Sequence, residues 1–370
     1  MTDWSSLVVP RPPDSDPFDI GGIEEIKARY GLDELVKLHW NENLFGPMPG
    51  VLEAAMAEIE NAATYPEAAY QAFRTEVAQS VGTTPSSIFP GHGSQGLIAT
   101  LATTFVRGDD DVVVPERTFY LYGRACEARG ATVHPVPMRD LHVDLHGLAE
   151  TARRTDAKMI WICDPNNPTG FAVDTDEWSA FLEALPAGCT AVVDEAYADF
   201  VPPERRVERV SSVDEGRRVV VLRTFSKFFG LAGLRLGYAI ADADLVSYLA
   251  VIDEPYNVNC VGLAAGRACV RADEDTVAAR RREVADARDR LSRGLSDAGL
   301  EPLLSETNFV LARVGSDDRA LADALAARGI LIRPGSDVGL PGHVRITVGP
   351  LPLMDRVSEA VADARAALPG

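Results

Sequence analysis

Lysine is nearly missing from this chain. Of its 36 basic residues only Lys27, Lys37, Lys158 and Lys227 are lysines, and the rest are arginines. A surface in need of positive charge is written here in arginine, so a lysine inside a motif asks for its own explanation. Cysteine is scarce as well: Cys126, Cys163, Cys189, Cys260 and Cys269 show no C-x-x-C or histidine-paired spacing, and their number is odd. That argues against a disulfide scaffold or a zinc site and leaves reduced, mostly buried thiols. The six histidines form no cluster. Positive charge is in deficit overall: a formal net charge of -19 repels phosphate backbones and acidic membranes, which argues against nucleic acid as a partner. No apolar run is long enough to span a bilayer, and the opening "MTDWSSLVVPRPPDSDPFD" has no basic segment followed by an apolar one. The expectation is a cytoplasmic protein without a membrane partner. Internal repeats and low-complexity linkers are absent too.

What the chain does have is a regular alternation. "DVVVP" (Asp111 to Pro115), "KMIWIC" (Lys158 to Cys163), "TAVVDEAY" (Thr190 to Tyr197) and "RVVVLRT" (Arg218 to Thr224) each contain an apolar run of the length of a buried strand. Segments long enough for a crossover helix separate them, "DTDEWSAFLEAL" among them. This spacing predicts an α/β fold with a large, mostly parallel sheet flanked by helices. Beyond Arg271 the texture changes. "RADEDTVAARRREVADARDRLSRGLSDAGL" reads as a long charged helix, followed by "TNFVLARV", a helix in "DDRALADALAARG", and "HVRITVGP", the elements of a smaller α+β domain. With 370 residues and 46% hydrophobic content the chain can fill both cores. The expected division is an N-terminal arm over 1–35 that contributes to the small domain, a large domain over 36–270, and the small domain over 271–370.

In an open α/β sheet, ligands bind beyond the carboxyl ends of the strands. Past the first run stand Thr118, Phe119, Tyr120 and Tyr122; past the second, Asn166 and Asn167 in "DPNNPTG"; past the third, Asp194 and Tyr197. The fourth leads into "RTFSKFFGLAGLRLGYAI", with Thr224, Ser226 and Lys227, and Arg235 eight residues further on. Arginine keeps its proton in proteins, whereas a lysine amine can lose it and attack a carbonyl. Together these groups meet the needs of pyridoxal phosphate. Its aldehyde wants a lysine, Lys227, and its ring nitrogen a carboxylate that keeps it protonated, Asp194. The phenolic oxygen wants weakly acidic or neutral donors, which Asn167 and Tyr197 supply, and the ring face an aromatic, Phe119 first and Tyr122 second. The phosphate wants hydroxyls, an arginine and a helix N-terminus: Thr224, Ser226, Arg235, and Gly93, Ser94 and Gln95 of "GHGSQG".

Singly, each residue has an ordinary reading. An Asp after a strand commonly caps a helix, "NNPTG" is commonly a turn, a tyrosine packs in a core, and a loop lysine is simply exposed. Jointly, those readings would have to place the whole set at successive strand ends by chance. A rival motif exists, because "GHGSQG" also matches G-x-G-x-x-G, with Glu116 about where a ribose-binding acid would lie. The run before it, "SSIF", is short for the strand a dinucleotide site requires, and such a site gives Lys227 and Asp194 no task.

From "KLHWNENLFGP" through "TYPEAAY", "GHGSQGLI", "DPNNPTG", "VVDEAYADF" and "RTFSKFFGLAGLRLGYAI" to "RPGSDVGLPGHVRITVG", nearly the whole chain resembles the fold-type I pyridoxal-phosphate aminotransferases of classes I and II. Within them it is similar to the histidinol-phosphate aminotransferase group. The resemblance implies a homodimer with shared active sites, in which Tyr65 reaches the cofactor phosphate of the neighbouring subunit. It implies that Arg345 clamps the substrate α-carboxylate, a task suited to a planar bidentate donor. Asn43, Tyr256 and Arg333 would line the substrate pocket, Tyr256 being a candidate from the partner chain. Lys227, Asp194 and Tyr197 would carry catalysis, between a small amino donor and a 2-oxo acid acceptor; histidinol phosphate and 2-oxoglutarate are the first expectation.

Three departures touch the substrate side. Phe18 stands where the group commonly has a tyrosine against the substrate phosphate, Gln95-Gly96 replaces Asp-Glu, and "NENL" replaces "NENP". They keep an aromatic or specialised biosynthetic amine open as donor. A decarboxylase or lyase on the same scaffold would use the same cofactor residues, and a binding protein that merely kept the fold is the remaining alternative.

Overall fold

The computed structural model describes residues 22–315 and 317–368. Phe18 and the first part of the expected arm lie outside the described residues. Each apolar run becomes a strand, and seven strands form one sheet in the order Ile88–His92, Leu236–Ile240, Val219–Thr224, Thr190–Asp194, Met159–Cys163, Asp111–Pro115, Thr132–Val136. The last five are mutually parallel. Leu236–Ile240 runs against both its neighbours. The reason is length: residues 225–235, which lead into it, form a link too short for the crossover helix that a parallel return needs.

Alternation along these strands builds two cores. Ile160, Ile162, Ala191, Val193 and Val221 enter one apolar cluster, while Trp161, Cys163, Val192, Val220 and Leu222 enter the other on the opposite face. Each valine, isoleucine or leucine among them, taken fully out of water, contributes about 1.5–3 kcal/mol. Helices cover both faces. Thr175–Ala184, for example, starts where Asp174 accepts from the N–H groups of Asp176 and Glu177, and it buries Trp178 and Phe181 one turn apart. Cys126, Cys163, Cys189 and Cys269 are buried free thiols, and Cys260 is half-buried.

A second, antiparallel sheet orders Arg333–Pro334, His343–Thr347, Phe309–Arg313 and Glu301–Pro302. The long charged segment is the helix Glu274–Asp297, which buries Val284, Ala287, Leu291 and Leu295 and packs on Leu351–Ala367. Its apolar positions recur at helical spacing, so the charges between them face water. Early residues join this part of the molecule: Ile26 of the helix Ile23–Tyr30 packs with Ala326 and Leu331, and Val36–Lys37 pairs parallel with Ile330–Leu331. That pairing delivers residues 39–42 to the gap between the two sheets. Among the described residues no helix is long and apolar enough to cross a membrane, and no group of three His, Cys, Asp or Glu could hold a metal ion.

Candidate active site

An open cleft of about 1800 Å³ lies where the strand ends of the large sheet face the antiparallel sheet. Pockets for a single small ligand run to roughly 300–1,000 Å³, so there is room for two molecules side by side. Ser94, Gln95, Phe119, Asn167, Asp194 and Tyr197 line it from the large sheet's side, with Thr224, Ser226, Lys227 and Arg235. Arg333 and Arg345 line it from the other.

Lys227 is partly accessible from the cleft and otherwise enclosed by protein. Its Nζ donates to the carbonyls of Trp40 at 3.0 Å and Asn41 at 3.1 Å. Burial, then the Arg345 charge, lowers its pKa to about 8, against a favourable pull from Glu42 and Asp194. About a tenth of this amine is therefore neutral and nucleophilic at pH 7, far more than of an ordinary lysine. Asp194 ends its strand with 2% exposure. Burial pushes its pKa up to about 6, opposed by two donors: Tyr122 Oη at 2.8 Å on Oδ2 and the Ala196 N–H at 3.1 Å on Oδ1. Tyr122 is fully buried and stacked on Trp161, with ring centroids 5.0 Å apart. Its face is thus occupied, whereas Phe119 is half-buried at the cleft and meets Tyr122 edge-on at 5.6 Å. Tyr197 receives Asn41 Nδ2 at 3.0 Å on its hydroxyl, which leaves its own O–H to donate elsewhere.

Below Lys227 the chain forms a cradle for an anion. The helix Gly93–Phe105 begins without a side-chain cap, so its first N–H groups stay open. Gly93 is in the left-handed region, φ 66°, and a Cβ there would lie 2.6 Å from Arg235 Nη2. Thr224 Oγ1 and Ser226 Oγ are 3.0 Å apart, and Arg235 Nη1 is 3.5 Å from Ser226 Oγ. Two hydroxyls, a guanidinium and a helix start converge on a space kept open by a glycine, and these residues fit a phosphate ester. The same geometry disfavours the dinucleotide alternative, because Ile88–His92 is an edge strand antiparallel to its neighbour and not part of a parallel βαβ unit.

On the facing wall Arg345 is 5% exposed, donating to Asn167 Oδ1 at 2.5 Å and to the His39 carbonyl at 2.7 Å. Its Nε is buried without a partner among the described residues. An unsatisfied buried guanidinium N–H costs stability, and an incoming carboxylate or phosphate oxygen would satisfy it. Asn43 lies elsewhere, while Tyr65, expected at the neighbouring subunit's site, and Tyr256, a candidate for it, lie off this chain's own cleft. Asn43 donates to the Phe228 carbonyl at 2.7 Å and accepts from the Phe45 N–H, so it fixes a loop, while Asn41 takes the place at the cleft. Asn41 and Asn43 would share a face of an extended segment, but Asn41 is left-handed, φ 55°, and turns the chain. Tyr65 and Tyr256 are absent from this chain's cleft wall; they stack on each other at 4.5 Å, 80% and 43% exposed.

Comparison with known proteins fits this geometry. Residues 33–361 match the model of the family described as aminotransferase class I and II. The chain belongs to that family. A histidinol-phosphate aminotransferase of Brevibacillus brevis is 34% identical over 335 residues, 90% of this chain and 92% of the relative. That of Symbiobacterium thermophilum is 37% identical, covering 88% and 90%. Among solved structures, the histidinol-phosphate aminotransferase of Sinorhizobium meliloti in complex with pyridoxal-5'-phosphate superposes with a TM-score of 0.89 at 29% identity, over 95% of this chain and 96% of that one. The architecture is that of the fold-type I aminotransferases.

Behind the cleft of this aminotransferase runs a charge network that sequence reading did not reveal. Arg209, 1% exposed, bonds Asp164 at 2.5 Å and Glu195 at 2.9 Å, with its guanidinium 4.6 Å from the Trp178 ring centroid. Glu195 also accepts from Arg223 Nε at 2.8 Å. Burial alone would raise the Glu195 pKa, but Arg223 and Arg209 hold it below the usual carboxylate range; at Asp164 burial wins and the pKa rises despite Arg209. Asp164 opens the turn that carries Asn167, and Glu195 follows Asp194. The network therefore ties two cleft loops together through their bases.

Proposed function

We propose that this aminotransferase depends on pyridoxal phosphate and moves an amino group between histidinol phosphate and a 2-oxo acid, 2-oxoglutarate first. The observation that carries the reading is Lys227 Nζ, held in the cleft between the Gly93 and Arg235 cradle and Arg345. Thr224, Ser226, Arg235 and the start of the helix Gly93–Phe105 hold the cofactor phosphate, Lys227 its aldehyde, Asp194 its ring nitrogen, and Tyr197 and Asn167 its phenolic oxygen. Phe119 lies against the ring face. When bound, the cofactor supplies a protonated ring that withdraws electrons from the amine-bearing carbon of the substrate. Lys227 Nζ would lift the proton from that carbon and return it to the aldehyde-derived carbon two atoms away, across the nitrogen, which its lowered pKa permits near neutral pH. Arg345 orients the donor through the anion beside its amine, a phosphate in histidinol phosphate and a carboxylate in an amino acid, and the donors at hand suit either.

The chain is proposed to act as a homodimer. Leu52, Met56 and Ile59 are 54%, 68% and 57% exposed on one helix, and Tyr248 and Val251 are 67% and 84% exposed near Tyr256. Leu52, Met56 and Ile59 recur at helical spacing and so share one face, and an exposed apolar face of that kind suits a partner surface. Tyr65 then serves the partner's cradle rather than its own.

Absorbance of the purified protein loaded with pyridoxal phosphate tests the reading. The bound-aldehyde band should bleach on adding histidinol phosphate and return with 2-oxoglutarate. Bleaching by phenylalanine or tyrosine but not by histidinol phosphate would overturn the donor, and no band at all would overturn the cofactor. Mixing Lys227→Ala and Tyr65→Ala proteins should restore activity that neither has alone if the sites are shared.

A further inference from the structure

Arg333 and Arg345 are directly opposite partners across two antiparallel strands, 4% and 5% exposed. Like charges so placed repel, and burial removes the water that would screen them. Arg333 indeed adds to the lowering of the Arg345 pKa, which burial chiefly brings to about 10. A carboxylate stands beside the pair: Asp337 Oδ2 is 3.5 Å from Arg333 Nη1. Its other oxygen binds more closely elsewhere, Oδ1 to Arg319 Nη2 at 2.7 Å. The loop bearing Asp337 is fixed, because Asp318 accepts from the Ser336 N–H at 2.7 Å, the Ser336 hydroxyl at 2.8 Å and the Gly342 N–H at 3.1 Å. Arg319, Arg333 and Asp337 all line the cleft.

We propose that Asp337 is a specificity-determining residue that sets how strongly Arg333 receives the anionic end of a substrate. In the free enzyme it lends Arg333 part of a counter-charge. An acidic end, such as the far carboxylate of a dicarboxylic 2-oxo acid, takes Asp337's place on Arg333, and Asp337 stays paired with Arg319. A neutral or cationic end, such as an imidazole, leaves the Arg333–Asp337 contact intact. One pocket can thus serve two co-substrates of different charge. The inference rests on the functional reading only in placing substrate at Arg333.

Two variants should act in opposite directions. Asp337→Asn takes this carboxylate away from Arg333, and Arg319→Ala removes the outer tether so that Asp337 closes on Arg333. Inorganic phosphate, titrated calorimetrically into cofactor-loaded protein, should bind roughly three- to tenfold tighter to Asp337→Asn and weaker to Arg319→Ala, the range expected of a partly exposed charge pair. KM for 2-oxoglutarate should move the same way in each variant, more than kcat does. In an Arg333→Gln background Asp337→Asn should change nothing. A merely structural loop predicts loss in both variants, and same-signed shifts, or an effect that survives Arg333→Gln, would overturn the proposal. Should the protein take up no cofactor, the functional reading fails while the titration still reads, because phosphate held at the Gly93 cradle would not respond to Asp337.

Discussion

On the wall of the cleft formed by the seven-stranded sheet, Asp194, Thr224, Ser226 and Lys227 stand at or just past the ends of adjacent strands, fixed by a few backbone bonds each. On the facing wall, Arg333 and Arg345 come from a second sheet, and their neighbours Asn41, Asn167 and Asp337 come from a left-handed turn, a loop and a short helical turn. The first wall is a local construction, so its geometry is stiff and its chemistry constant. The second is assembled across long chain separations, so a single side chain can retune its charge without disturbing the sheet. Cofactor chemistry suits the first plan and substrate choice the second.

The sharpest way to break the comparison is to remove the amine proposed to react. Lys227→Ala should lose turnover by about 10⁴-fold while the fold persists, since no other nucleophilic amine lines the cleft among the described residues. Single-turnover kinetics with the cofactor added would check it, and near-normal rates would refute the assignment. Next in size is the network under both cleft loops. Arg209→Gln leaves Asp164 buried without its guanidinium and Glu195 with only that of Arg223, and should cost about 3–5 kcal/mol in urea unfolding. A loss below about 1 kcal/mol would mean the two loops are held by other contacts. On the substrate wall, Arg345→Gln should lower kcat/KM by about 10²-fold for carboxylate and phosphate donors alike, with cofactor binding retained.

The same contrast explains what could be read from sequence. Strand-end residues announce themselves because each follows a buried run, so Lys227, Asp194, Tyr197, Thr224 and Ser226 could be singled out, and the structure brings them together. Residues defined by distant contacts could not be read that way, and Arg333 and Arg345 came only through the family resemblance. Asn41 and Asn43 sit two apart and look equivalent until a left-handed residue turns one away. Tyr122 looked like a second candidate for the ring face, and only strand register shows why it meets Asp194: Cys163 pairs with Asp194, and Trp161, two residues earlier on the same face, is the platform on which Tyr122 stacks. The charges at Asp337 and Arg209 depend on partners 18 and 14 to 45 residues away.

The smallest effect separates the walls most cleanly. Tyr122 Oη donates to Asp194 and so favours its charged form, in a site where burial has already raised the pKa to about 6. Tyr122→Phe removes that donor and should raise it further, by about one pH unit for a bond to a buried carboxylate. In the proposed function the carboxylate is needed charged, so activity should fall as pH drops through this pKa. The acid limb of kcat/KM should therefore move to higher pH in Tyr122→Phe, with little change at pH 8. A substrate-wall variant such as Arg345→Gln should instead lower the whole profile without displacing its acid limb, because it touches neither Tyr122 nor Asp194. If Tyr122→Phe lowers the profile uniformly, Tyr122 matters only for packing against Trp161; if Arg345→Gln moves the acid limb, the two walls are electrostatically one.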